Sequence, residues 1–343
     1  MPGRIRFTSN RLVQSSMVLN RAKMPLYLKS PRASRAWTNS VASCKSATSG
    51  LVGFVSVGLD MENTLPGSGL PDPTSEAPMQ KATMKNSTGY SLPDQEEKAS
   101  YLQKNFDEIA ASYDRFNDLF TGGMHRLWKK KTIRKALGGI RTGTMESRVT
   151  VLDLCSGSGD IALGFARNEP DRRVLALDFS ARMLGVLNAK RPSSMKNLNI
   201  VQGDAMNLPA EYAGLFDIVS IGYGIRNLTD PRAGLDEAFA ALKPGGMLVI
   251  LEVGDFSPAW IEPLARFYME RIIPVLGRIA QGKKHEMYEY LPTSAKAFPG
   301  AIEFTDWISN AGFENVQFER FMFGASILYS GRKPGGETDR YSH

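Results

Sequence analysis

Val151-Leu-Asp-Leu-Cys-Ser-Gly-Ser-Gly-Asp160 joins a short apolar run to a turn holding two glycines, and the residues after it have helical spacing. Gly157 and Gly159 carry no Cβ, so a strand ending there lets its backbone pass close to a ligand as it turns into the next helix. Outward from this stretch, residues 149–154, 174–178, 199–202, 218–221 and 247–252 read as strands bounded by Gly, Pro, Asp or charge. Between them, residues 161–168, 181–190 and 231–242 have the period of helices. Such alternation predicts an α/β fold with a doubly wound, Rossmann-like sheet, mostly parallel and covered on both faces. Nearer the C-terminus, residues 304–311 read as a helix. Residues 316–321 and 325–329 read as two strands turning at Gly324, an antiparallel hairpin.

Read with Ala162, the Gly-x-Gly turn also fits a dinucleotide fingerprint. Asp153 argues against that, because a pyrophosphate gains nothing from a carboxylate beside it, whereas the ammonium and sulfonium of S-adenosylmethionine do. Asp178 closes the second strand and is placed to accept from ribose hydroxyls of either nucleotide. In Gly203-Asp-Ala-Met-Asn-Leu-Pro209, after the third strand, Asp204 can accept from an adenine amino group, with Ala205 next to it. Any one of these acids could cap a following helix. Three of them at three consecutive strand ends, beside one glycine turn, point to a nucleoside site at the edge where open sheets bind ligands.

The 343 residues carry 42 Lys plus Arg and 35 Asp plus Glu, but residues 1–59 hold nine basic side chains and no acid. The rest has 33 basic and 35 acidic residues, so no electrostatic footprint for nucleic acid remains. Residues 1–61 read as an organelle transit peptide, the alternative being a disordered basic tail. Residues 62–97, rich in Pro, Ser, Thr and Gly, read as disordered linker. Residues 98–333 suit one domain, and 334–343 a flexible tail. No apolar run reaches the ~20 residues a membrane span needs. With Cys44 in the leader, only Cys155 remains, which leaves no internal disulfide.

Two further stretches are specific. One is Tyr113-Asp-Arg-Phe-Asn-Asp-Leu-Phe-Thr-Gly-Gly-Met-His-Arg-Leu-Trp-Lys129. The other is Gly222-Tyr-Gly-Ile-Arg-Asn-Leu-Thr-Asp230, followed by Leu242-Lys-Pro-Gly-Gly-Met-Leu-Val-Ile-Leu-Glu252. With the glycine turn, they resemble the quinone-biosynthesis C-methyltransferases acting on ubiquinone, menaquinone and phylloquinone precursors. The resemblance covers residues 106–333. Leu177-Asp-Phe-Ser180, the glycine turn and Gly-Tyr-Gly-Ile-Arg-Asn are more similar to the plastid and cyanobacterial naphthoquinol branch, the demethylphylloquinol (2-phytyl-1,4-naphthoquinol) type, than to the mitochondrial benzoquinol branch. Ala240 departs from the family's usual Arg, and Pro292 is expected to interrupt a stretch that is helical in the family.

The resemblance implies a class I S-adenosylmethionine-dependent methyltransferase whose substrate is a lipophilic quinol. It implies Asp153, Gly157, Gly159, Asp178, Asp204 and Ala205 as cofactor residues. Arg226 and Asn227 would polarise the quinol oxygen, and Tyr223, His125, Tyr288 and Tyr290 would face the substrate. A guanidinium cannot be a free base, so Arg226 would stabilise a quinolate; its plainer reading is a salt bridge to Glu252. His125 equally reads as a packing residue near Trp128, and His285 is the other internal histidine. No metal is expected, since no Cys/His cluster has ligand spacing. Residues 260–280 mix large apolar side chains with Arg266, Arg271 and Arg278, which suits peripheral contact with a membrane or else a core-facing helix pair broken at Pro274. A plastid address on the stroma side of a membrane is expected, with the mitochondrial matrix as the alternative. Homodimer formation or assembly with other pathway enzymes fits the same resemblance. A nicotinamide-dependent reductase and an idle scaffold are the rival classes. Binding of S-adenosylhomocysteine separates the first, and the intact glycine turn and Arg-Asn pair argue against the second.

Overall fold

A computed structural model of the chain describes residues 90–140, 148–167, 169, 171–273, 275–276 and 286–335, without the side chains of 259, 269, 270 and 288. Three helices come first: α1 (Gln95–Ile109), α2 (Tyr113–Thr121) and α3 (Met124–Gly138). The alternating part follows as β1 (Thr150–Leu154), α4 (Asp160–Ala166), β2 (Arg173–Asp178), α5 (Ala181–Lys190), β3 (Leu198–Gln202), β4 (Phe216–Gly222), α6 (Pro231–Ala241) and β5 (Leu242–Val253). The chain closes with α7 (Glu262–Phe267), α8 (Met287–Ala297), α9 (Ala301–Asn310), β6 (Glu314–Phe321) and β7 (Ser326–Arg332).

The seven strands form one sheet in the order β3-β2-β1-β4-β5-β7-β6. β1 to β5 pair in parallel, while β7 lies antiparallel between β5 and β6. Val151, Leu152 and Leu154 of β1 are fully buried because helices cover both faces, which is why the strand reads as a near-continuous apolar run. Leu152, Val219, Leu248 and Ile250 pack on one face with Leu235 of α6 and Phe304 and Ile308 of α9. Val151, Ile218, Val249 and Leu251 pack on the other with Trp128 of α3, Phe165 of α4 and Leu187 of α5. The chain order reverses between β1 and β4, so a crevice opens at their C-terminal ends.

The fold class is the expected one, with an antiparallel C-terminal hairpin, and four details differ. The domain starts earlier than residue 98: α1 begins at Gln95 after Asp94, and Tyr90 and Leu92 pack on the cluster of Leu102, Phe106, Met183 and Tyr290. Tyr90 Oη donates to Tyr101 Oη at 2.8 Å. The polar composition hides this helix, whose acids Glu96 and Glu97 lie in the first turn, where they complement the helix dipole. α8 runs through Pro292 without a break, so the expected interruption is absent. Thr293 Oγ1 donates to Glu289 O at 2.7 Å in that turn. β5 starts at Leu242, five residues early, because Leu242 pairs with Phe216 before the Pro-Gly-Gly turn. The hairpin turns over Met322–Gly324, with Met322 and Phe323 at φ 44° and 56°.

Beyond β5, the 3-10 turn Ala259–Ile261, α7 and the π-turn Tyr268–Ile272 present Trp260, Leu264 and Phe267 to solvent at 74%, 68% and 57% exposure. Ile273 and Tyr268 anchor the segment against Phe116 and Phe120. No helix among the described residues is long and apolar enough to cross a membrane. The expected transit peptide (1–61), residues 62–89 of the expected linker and residues 336–343 of the expected tail lie outside the described residues.

Gly159 marks where the sheet meets α5. Its φ is +84°, and a Cβ there would lie 2.0 Å from Leu187 Cδ1, a side chain with no exposed surface in which to retreat. Gly157, at φ +54°, has open space around the same position. Gly159→Ala is therefore expected to destabilise the fold by about 2–3 kcal/mol, through backbone strain plus overpacking. Gly157→Ala is expected to cost about 1 kcal/mol, from strain alone. Urea unfolding of the two variants checks the difference.

Candidate active site

The ends of β1, β2, β3 and β4 surround a cavity of about 660 Å³. Asp153, Gly157, Asp178, Asp204, Ala205, Tyr223 and Asn227 all line it, so the three strand-end acids and the loop after β4 converge as the sequence led one to expect. α1 supplies the opposite wall through Leu102, Gln103 and Phe106, and α2 adds Tyr113.

Asp153 is 1% exposed. Its Oδ1 accepts from Ser220 Oγ at 2.5 Å, and its Oδ2 is buried without a partner. Burial pushes its carboxyl up to about 7, against the hydrogen bond from Ser220. Asp178 accepts from Ser180 N at 2.9 Å and Gly157 N at 2.8 Å, one bond on each oxygen. Burial raises it to about 6, opposed by those two bonds. Each Asp178 oxygen keeps a lone pair, enough to accept from ribose hydroxyls. Asp204 is exposed at the rim, where its Oδ1 accepts from Met206 N at 2.9 Å and fixes the turn after β3.

These residues fit S-adenosylmethionine. An unpaired buried carboxylate oxygen is the group an ammonium or sulfonium would satisfy, and two carboxyls held above their usual range would both gain from a cation. At Gly157 the space that a Cβ would fill is open, so a ligand can lie against the backbone. Leu177, Phe179, Met183 and Met206 give the cavity an apolar flank for a base.

Four predicted site residues lie elsewhere than the cavity wall. Gly159 packs against Leu187, as above. His125 is turned back onto α2: its Nε2 pairs with Asp118 Oδ1 at 2.9 Å, its Nδ1 is buried and unpaired, and burial lowers its pKa. Lys129, one turn further along α3, reaches the cavity in its place. Arg226 is buried and its Nη1 donates to Glu252 Oε1 and, at 3.2 Å, to Tyr223 O, so the salt-bridge reading holds for this guanidinium. Tyr290 stands one layer back, where its Oη donates to Asn227 Oδ1 at 3.0 Å. Its hydroxyl is pushed up to about 12 by burial. Asn227 Nδ2 donates to Tyr223 O at 3.2 Å, which leaves the amide's second N–H for a ligand. The side chain of Tyr288, and His285 entirely, lie outside the described residues.

Sequence reasoning missed the polar ties that close the cavity. Asp114 of α2 accepts from Ser158 Oγ on the glycine turn at 2.6 Å and from Lys190 at 2.8 Å. Asp160 accepts from Lys190 at 2.6 Å and Lys129 at 2.8 Å. Asp107 of α1 accepts from Ser180 Oγ at 2.5 Å. Asp114 and Lys129 sit inside the Tyr113 to Lys129 signature, which was the available signal. Asp107 carried none.

Residues 94–333 match the ubiE/COQ5 methyltransferase family. The chain is 36% identical over 253 residues to a demethylmenaquinone methyltransferase of Leptospira interrogans, spanning 73% of this chain and 100% of that one. It is 33% identical over 247 residues to the ubiquinone/menaquinone biosynthesis C-methyltransferase UbiE of Dinoroseobacter shibae, spanning 71% of this chain and 95% of that one. Among solved structures, a SAM-dependent methyltransferase from Thermotoga maritima aligns at 18% identity and a TM-score of 0.46, over 67% of this chain and 98% of its own. The family match runs from the first turn of α1 to the end of β7 and takes in every wall of the cavity. This chain belongs to the ubiE/COQ5 family and is an S-adenosylmethionine-dependent methyltransferase.

Proposed function

We propose that the chain methylates a ring carbon of a prenylated naphthoquinol, demethylmenaquinol or demethylphylloquinol, in vitamin K quinone biosynthesis. The observation that carries this reading is the 36% identity to a relative named for demethylmenaquinone over that relative's whole length. A second reading, C-methylation of 2-methoxy-6-polyprenyl-1,4-benzoquinol, is favoured by the relative whose name includes ubiquinone.

A quinol ring carbon becomes nucleophilic when a ring hydroxyl gives up, or shares, its proton. When bound, S-adenosylmethionine supplies an electrophilic methyl on a cationic sulfur. Asp153, through its unpaired buried oxygen, would hold the cofactor's positive charge. The free N–H of Asn227 donates to the ring oxygen and stabilises the charge that develops there. Tyr290 keeps the Asn227 amide oriented, and the Arg226–Glu252 pair braces the turn from behind. Leu102, Phe106 and Leu228 keep water from the reacting carbon.

The exposed Trp260, Leu264 and Phe267 suit contact with the bilayer that holds a lipophilic substrate. Arg266 and Arg271 are exposed among them and complement anionic headgroups.

Three outcomes are expected. With labelled S-adenosylmethionine, reduced demethylnaphthoquinol gives methylated product and reduced benzoquinol gives at most a trace; product from the benzoquinol alone would transfer the enzyme to the second reading. Cofactor affinity measured by calorimetry rises between pH 5.5 and 8, because at low pH Asp153 and Asp178 must shed protons to meet the cation. Asp153→Asn flattens most of that dependence and weakens binding by about ten-fold or more; an unchanged pH profile would remove Asp153 from the cation's site. The protein sediments with vesicles containing anionic lipid, and Trp260→Ala with Phe267→Ala releases it. Equal sedimentation of that double variant would exclude this face.

A further inference from the structure

Lys98, on the first turn of α1, has no part in the chemistry above. Its Nζ donates to Arg226 O at 3.1 Å and to Leu228 O at 2.5 Å, the two carbonyls on either side of Asn227. No carboxylate pairs with it among the described residues. Taking an ammonium largely out of water without a counter-ion is costly, and Arg226 nearby adds repulsion; together they lower Lys98 to about 8. A neutral donor would pin a helix to a loop at less cost, as Gln95 Nε2 does at Thr229 O, 3.4 Å away. What the ammonium adds is two charge-assisted bonds that fix both peptide planes around one side chain.

Asn227 is thereby held on three sides. Tyr290 of α8 donates to its Oδ1, the turn's own Tyr223 O accepts from its Nδ2, and Lys98 of α1 sets its backbone. α1 is also the wall facing the strand ends, through Leu102 and Phe106.

We propose that Lys98 is a positioning residue: it clamps the Arg226-Asn227-Leu228 turn from α1, so that the Asn227 amide faces the substrate oxygen only when α1 is seated over the site. The proposal rests on the reading of Asn227 as the group that touches the quinol.

The test is steady-state kinetics on the full chain with reduced demethylnaphthoquinol, comparing Lys98→Met, Lys98→Arg, Asn227→Ala and the Lys98→Met/Asn227→Ala pair. Calorimetry with S-adenosylhomocysteine accompanies each variant. Lys98→Met is expected to lower kcat roughly ten-fold, the scale of a small misplacement of a reacting group. Its KM for S-adenosylmethionine and its affinity for S-adenosylhomocysteine stay within about two-fold. Lys98→Arg, which keeps a charged donor, recovers most of kcat, and Lys98→Met adds no loss in the Asn227→Ala background. Loss carried by cofactor affinity instead of kcat, or an equal loss in both backgrounds, overturns the proposal. Should circular dichroism show that Lys98→Met does not fold, Lys98→Gln, a shorter neutral donor, takes its place under the same criteria. An Asn227→Ala variant with unchanged kcat would instead show that the underlying reading of Asn227 has failed.

Discussion

Asp178 spends one carboxylate oxygen on the N–H of Gly157 and the other on the N–H of Ser180, so a single buried side chain ties the end of β2 to the turn after β1 and to the start of α5. The rest of the cavity hangs from those two turns. Ser180 passes its hydroxyl to Asp107 of α1, and Ser158, next to Gly157, passes its own to Asp114 of α2. Removing the carboxylate would leave the buried N–H of Ser180 and the half-buried one of Gly157 unsatisfied and loosen both helices that cover the site. Burial raises the carboxyl to about 6. The folded protein therefore holds this proton at pH values where the unfolded chain has lost it. Ionisation then costs stability as pH rises from about 4 to 6, and a bound cation restores it.

The buried Arg226–Glu252 pair follows the same logic on the other side of the crevice. Such a pair contributes little net stability, because both charges lose their water. Its partners are particular: Arg226 also reaches Tyr223 O, and Glu252 Oε1 also accepts from Val253 N. It fixes one conformation of the β4 loop against β5, which a packed apolar pair would leave less defined. Arg226 is thus spent on shape, and Asn227 is the residue of this turn whose side chain lines the cavity with an N–H to spare.

The sheet and the strand-end acids were legible in the sequence because parallel strands buried on both faces leave unbroken apolar runs, and because the acids follow those runs directly. The hairpin was legible for a similar reason, with two apolar runs on either side of a short turn that ends in Gly324. α1 was not: its buried face is only Leu102, Asn105, Phe106 and Ile109, and the polar residues ahead of it resemble linker. Pro292 misled in the opposite direction, since a proline in a short helix packed through Met287 and Tyr290 removes one backbone bond without undoing that packing. His125 and Lys129 lie one helical turn apart in the same signature, and nothing in their spacing tells which reaches the cavity. Lys98 and Asp107 bond to carbonyls and hydroxyls far along the chain, and such partners leave no local pattern.

β7 enters the sheet between β5 and β6, so the last strand of the chain is an interior one. All the strand ends that form the cavity have been made by residue 229, yet β5 waits about 80 residues more for its second neighbour. At the usual pace of synthesis that is roughly 4–16 s. Through that interval Leu248 to Leu251 offer an apolar edge to any other nascent strand. Until β7 is in place β5 lacks its second neighbour, so the sheet is complete only when the C-terminal hairpin has folded back onto it.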